Sequence, residues 1–229
     1  MPISPRATPL LASDLLDDLM VLDNELQTML GGDDEWRAIK ALNLALRYLD
    51  TVAASQATVL QVSFEFLTGT TLQQPPPTGL LRLDALTLLD VPGGVVIQEL
   101  TDLQQIAGPV PTMAWPGLYL STPGAVSGYA WEGDVLQWDR PPDQAYPIRG
   151  WGLLRATPFV DRTTPLDRPD ECSFALTTFA SHLLHVSVGD SDQDVMELAA
   201  TLFRPLLRSL SPMTRTGPRS RVYTVVHQT

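Results

Sequence analysis

Hydrophobic positions at helical spacing open the chain. From Ser13, a good N-cap residue, the apolar residues Leu15, Leu16, Leu19, Leu22, Leu26, Met29 and Leu30 recur every three or four positions and predict an amphipathic helix that Gly31 and Gly32 stop. Asp33 and Asp34 then suit the positive end of a second helix, with Trp36, Ile39, Ala41, Leu42, Leu46 and Leu49 as its apolar content and an end near Ser55. From Thr58 the period changes to two. Val59 to Leu67 reads as a strand with Val62, Phe64 and Phe66 on one face, the run QQPPPTG from Gln73 to Gly79 as a connector, and Leu80 to Leu89 as a further strand. Pro92 to Gly94 predicts a turn, Val95 to Leu100 a strand, and Thr101 to Ile106 a short helix. Helical spacing returns with Pro169 and Asp170, which open a helix to about Val188. After the interruption GDSD, Val195, Leu198, Ala199, Leu202, Phe203 and Leu206 give another helix, in which Pro205 is a kinking or shortening residue.

These elements predict an α+β chain: an antiparallel helical bundle of two N-terminal and two C-terminal helices with an inserted antiparallel β domain. The expected boundaries are 1–57 for the first helical hairpin, 58–165 for the β domain, 166–210 for the closing helices and 211–229 for an extended basic tail. Within the β domain, DVLQWDRPPDQAYPIRGWGLL (Asp134 to Leu154) reads as a hairpin. Its consecutive prolines remove two donors where the ladder breaks, and Asp143 bonds the turn.

Charge sharpens this picture. The net charge is −11, yet after Glu197 there is no acid, and Arg204, Arg208, Arg215, Arg219 and Arg221 make the C-terminus basic. So acidic a body repels phosphates and argues against sequence-specific nucleic-acid binding by its surface, whereas the tail suits an acidic groove or a phosphate. The single cysteine, Cys172, excludes an intramolecular disulfide. Asp14, Asp17 and Asp18 interrupt the N-terminal leucines, so no export signal is expected, and no apolar run approaches the roughly 18 residues of a membrane span.

Candidate chemistry is sparse. His182 and His185 lie on one predicted helix without the further ligands a metal needs, and Cys172 has no visible partner. DSDQD at Asp190 to Asp194 fails as a calcium loop, because Val195 and Thr201 replace the required glycine and glutamate; Ser191 and Asp194 instead have capping-box spacing. GAVSG (Gly124 to Gly128) places its serine one position late for a nucleophile elbow, and GWG (Gly150 to Gly152) lacks the remaining phosphate-loop pattern. No catalytic residue, metal site or cofactor is expected. Trp115, Tyr119, Tyr129, Trp131, Trp138, Tyr146 and Trp151 concentrate in the β domain, where packing is the leading use and a lectin-like or scaffold surface is the alternative. A small hydrolase is disfavoured by the lack of a nucleophile with a base.

Taken in order, two helices with LNLALRYL in the second, the strand PPPTGLLRLDALTLL, the PPD segment between Val135–Trp138 and Tyr146–Leu154, and two closing helices resemble the head-to-tail adaptor proteins of tailed bacteriophages. The resemblance implies a non-enzymatic dodecameric ring under the portal in the virion neck, made in the host cytoplasm. Such a ring extends the DNA channel, passes double-stranded DNA without specific binding, and offers a platform to a downstream tail or nozzle protein. It places portal binding on the C-terminal segment, for which Arg208, Arg215, Arg219, Arg221, Tyr223 and Val225 are the candidates. Arg140, Asp143 and Tyr146 become candidate intersubunit or tail-facing contacts. No membrane partner is expected.

Overall fold

The computed structural model describes residues 9–22, 35–56, 59–90, 94–99, 123–185 and 192–210. They divide into two compact units, one drawn from Met1–Leu60 and Arg155–Arg221, the other from Gln61–Leu154.

The first unit contains four described helices: α1 (Ala12–Leu22), α2 (Glu35–Ala54), α3 (Ser173–His185) and α4 (Asp192–Leu210). Each buries the stripe its sequence period dictates. Leu15, Leu16 and Leu19 of α1, Leu42, Leu46 and Leu49 of α2, Leu176 and Phe179 of α3, and Phe203 and Leu207 of α4 are all buried. Phe179 is the aromatic centre, edge-on to Tyr48 at 5.2 Å and to Phe203 at 5.3 Å. Pro205 sits inside α4 without ending it.

A strap, Arg155–Pro169, laces these helices. Its carbonyls satisfy the otherwise orphaned first amides of α1, with Ala12 N–H donating to Thr164 and Ser13 N–H to Arg162 (both 2.9 Å). Ser13 is therefore not the N-cap; the side chain that bonds back is Asp14, whose carboxylate accepts from Leu11 N–H at 2.8 Å. On α2, Asn43 grips the strap backbone twice, accepting from Phe159 N–H (2.7 Å) and donating to Phe159 O (2.9 Å).

The second unit is a curled, mixed sheet of seven strands, a half-barrel, in the order β1-β7-β3-β4-β5-β6-β2. Its strands are β1 (Val62–Leu67), β2 (Gln73–Gln74), β3 (Leu80–Leu88), β4 (Val95–Glu99), β5 (Gly128–Glu132), β6 (Val135–Trp138) and β7 (Pro147–Leu154). One face gathers Leu86, Leu88, Ile97, Val126, Tyr129, Leu136, Trp138, Tyr146 and Ile148 into a core.

This sheet corrects the expected fold class. The protein is α+β but largely sheet-dominated, not a helical bundle bearing a small antiparallel insert. The sheet is mixed because β4 and β5 run parallel, with Gln98 opposite Gly128 and Glu99 opposite Tyr129. A parallel pair needs a crossover of roughly a dozen residues or more, and the stretch between Glu99 and Gly128 is long enough. Register shifts where β3 meets β7, at Leu80/Arg82 and Leu83/Ala85, accompany the curl. The expected helix Thr101 to Ile106 and the tail 211–229 lie outside the described residues.

The expected hairpin is also corrected. β6 and β7 do not pair: β6 lies between β5 and β2, whereas β7 lies between β1 and β3. The tight hairpin is instead β5–β6, turned at Gly133, whose φ of 61° favours glycine. Pro141 to Asp143 is a connection from one part of the sheet to another.

The GWG motif is structural. A Cβ on Gly150 would stand 2.4 Å from the Phe64 ring, and one on Gly152 would stand 2.1 Å from Arg82 O at the β3 irregularity. Gly150→Ala is expected to destabilise the fold by about 1–3 kcal/mol through overpacking. Combining it with Phe64→Leu should recover part of that loss, as read by urea denaturation.

Candidate functional site

The most buried polar constellation lies in the helical unit. Asp50 of α2, one heptad after Asn43, accepts from Arg168 Nη2 at 2.7 Å and Nε at 3.2 Å, and from Ala156 N–H at 2.8 Å. Both side chains of the ion pair are nearly inaccessible, at 4% for Arg168 and 3% for Asp50. Burial pushes the Asp50 carboxyl above its ordinary range, while Arg168 and the Ala156 amide pull against that rise. The adjacent Cys172 is fully buried, and burial pushes its thiol from 9.0 up to about 12. The arrangement fixes the strap and keeps the Cys172 thiol away from solvent. Midway along the strap Arg162 forks onto Glu35 with two 2.8 Å bonds, the chief cause that holds Glu35 below its usual range.

The histidines do not converge with other ligands. His182 and His185 occupy the last turn of α3 on its exposed side, His182 stacked 6.5 Å from Phe179. Among the described residues no three His, Cys, Asp or Glu side chains form a group able to hold a metal. GAVSG leads into β5, and Ser127 donates through its amide (3.0 Å) and its hydroxyl (2.5 Å) to Asp139, so that serine is an anchor. In DSDQD, Asp190 and Ser191 lie outside the described residues.

The three residues expected as intersubunit or tail-facing contacts part company. Arg140 is exposed and lies 3.4 Å from Asp139, and Asp143 is exposed. Tyr146 is instead buried at 7% exposure. Its amide donates to Thr68 Oγ1 at 2.9 Å, and its hydroxyl donates to Asp143 at 2.5 Å, a bond that raises the phenol's pKa. Tyr146 thus anchors the connection and does not project from it. Among the described aromatic residues of the sheet, Tyr129 and Trp138 are also core, while Trp131 is 40% exposed. Of the tail candidates Arg208 is exposed in the last turn of α4; Arg215, Arg219, Arg221, Tyr223 and Val225 lie outside the described residues.

The feature that sequence reasoning passed over is a separation of charge between helices α1 and α2. Asp14, Asp17, Asp18, Val21 and Leu22 share the exposed side of α1. Trp36, Arg37, Lys40, Leu44, Arg47 and Thr51 share that of α2. Trp36, expected as apolar core content, is 56% exposed and lies under the cations of Arg37 and Lys40, at 5.7 and 5.8 Å. The helical period contained this signal, since positions 36, 40, 44, 47 and 51 fall on one side.

Comparison of the chain with known protein families and with curated proteins finds no match.

Two measurements test the buried constellation. Asp50→Ala should cost about 3–5 kcal/mol because it strands the Arg168 guanidinium, while Asp50→Leu combined with Arg168→Met should restore most of the unfolding free energy. Cys172 should resist a thiol reagent at pH 8 and react fully once urea unfolds the chain. Its folded-state value lies above its unfolded one, so its contribution to stability is present below pH 9 and is lost as pH rises towards 12.

Proposed function

We propose that the chain is a structural virion protein, a head-to-tail adaptor that forms a ring under the portal, extends the DNA channel and offers a platform to the tail. The observation that carries this reading is that helices from before and after the sheet segment join in one unit laced by the Arg155–Pro169 strap. The buried Asp50–Arg168 pair found there holds the strap backbone through the Ala156 amide. Such a body is built for assembly, because its ion pair and its amide clamp fix geometry and leave the surface to make contacts. The resemblance of LNLALRYL, the PPPTGLLRLDALTLL strand and the two closing helices to head-to-tail adaptors supports the reading, without the PPD hairpin, since β6 and β7 do not pair.

The charge distribution supports the same reading. A channel lined by carboxylates lets DNA pass, since basic linings hold it by counterion release. The acid-free segment after Glu197, with its five arginines, suits docking on an acidic portal surface, where guanidinium groups make bidentate contacts. Arg208, Arg215, Arg219, Arg221, Tyr223 and Val225 are the residues assigned to that contact. Arg140 and Asp143 keep their assignment as intersubunit or tail-facing groups, with Tyr146 as the anchor behind them.

Removing Ser211 to Thr229 should leave a folded protein that no longer co-purifies with the portal of its own virus. Undiminished co-purification would sink the tail assignment, and failure of the full-length protein to decorate portal rings in negative-stain images would sink the adaptor reading.

A further inference from the structure

The outer sides of α1 and α2 are opposites in charge and alike in apolar content. Along α2, Trp36, Lys40, Leu44 and Arg47 alternate apolar and cationic groups. Along α1, Asp17 and Asp18 precede the exposed Val21 (78%) and Leu22 (49%).

The spacings correspond when the helices run antiparallel. At about 1.5 Å rise per residue, the step from Val21–Leu22 back to Asp17–Asp18 covers about 6 Å, as does the step from Trp36 to Lys40. Val21 and Leu22 then cover the Trp36 ring while the two carboxylates meet Lys40, with Arg47 further along toward the start of α1. Exposed tryptophan and arginine, as at Trp36, Arg37 and Arg47, are the side chains enriched at protein interfaces. The chain carries one lysine, and it falls in this stripe, in a protein of net charge −11. The stripe's best complement is therefore an acidic protein surface with apolar neighbours, and this chain displays one.

We propose that the exposed side of α2 docks on the exposed side of α1 of a second copy of this chain. The two patches are unlike, so the contact can repeat from copy to copy and closes into a ring if its rotation permits. In that respect it deepens the adaptor reading and rests on it. The contact itself needs no portal.

Sedimentation of the full chain over a range of concentrations tests it. The wild type should associate reversibly, less so as salt screens the charges. Lys40→Glu/Arg47→Glu and Asp17→Arg/Asp18→Arg should each raise the apparent dissociation constant at least roughly tenfold, because like charges then face each other. Mixing the two variants should restore assembly, since each reversed patch meets its reversed complement. Asp17 lies close enough to Arg162 to act on it electrostatically. Asp18→Arg alone should therefore shift association in the same direction by less, with thermal melts showing all variants folded. A wild type that stays monomeric at the highest concentrations, or variants that associate unchanged, would overturn the proposal. So would a stripe whose Lys40 and Arg47 serve only to bind duplex DNA. Portal co-purification is a separate measurement, so a lost self-contact with intact portal binding overturns this inference alone, and the reverse outcome overturns the adaptor reading alone.

Discussion

Asp50 and Arg168 are two charges removed from water, and each is tolerable only because the other is there. Their pairing, completed by the Ala156 amide, ties the C-terminal part of α2 to a segment more than a hundred residues later. Asn43 repeats the tie one heptad earlier through Phe159, and Arg162 repeats it at the helix start through Glu35. The strap so fixed offers its carbonyls to the first amides of α1, so the entry of the N-terminal helix depends on it as well. One polar seam thus sets the course of the strap, and the apolar stripes of the four helices fill the space beside it.

The sheet is ruled by a different constraint. β7 is bonded on both sides, by β1 and by β3, so its glycines must admit the Phe64 ring at one position and the Arg82 backbone at another. β4 and β5 join the two halves of the sheet in parallel, which no tight turn could do. The prolines at 141 and 142 serve that plan by carrying the chain from β6 to β7 without supplying ladder donors. Tyr146 closes the connection by bonding Asp143 on one side and Thr68 on the other.

Functionally, the charges divide by role. Those that are buried hold backbone in place, while those on the exposed sides of α1 and α2 are presented in complementary sets beside apolar side chains. The proposed assembly role needs this division, because a contact surface is useful only if the body behind it keeps its shape. The arginine-rich end of the chain adds a third charged element, opposite in sign to most of the body.

Much of this was written in local patterns. Helical spacing located α1 through α4, and period-two alternation located β1, β3 and β4, because burial of one face is a near-neighbour property. The acid-free C-terminus was likewise legible by inspection. Partnering was not. Val135–Trp138 and Tyr146–Leu154 look like two arms of a hairpin, and only the packed sheet shows that each has other neighbours. Asp50 sits among leucines with no local hint of its partner, since Arg168 comes to it only through the folded strap. Trp36 counts in the sequence as apolar content of α2, yet its place on the helix, set against the buried leucines opposite, turns it outward. The sequence by itself determined which segments coil and which extend, through side-chain period and backbone preference. Tertiary structure alone decided which strands pair, which charges are buried and which helix sides stay open, because those depend on contacts between residues far apart in the chain.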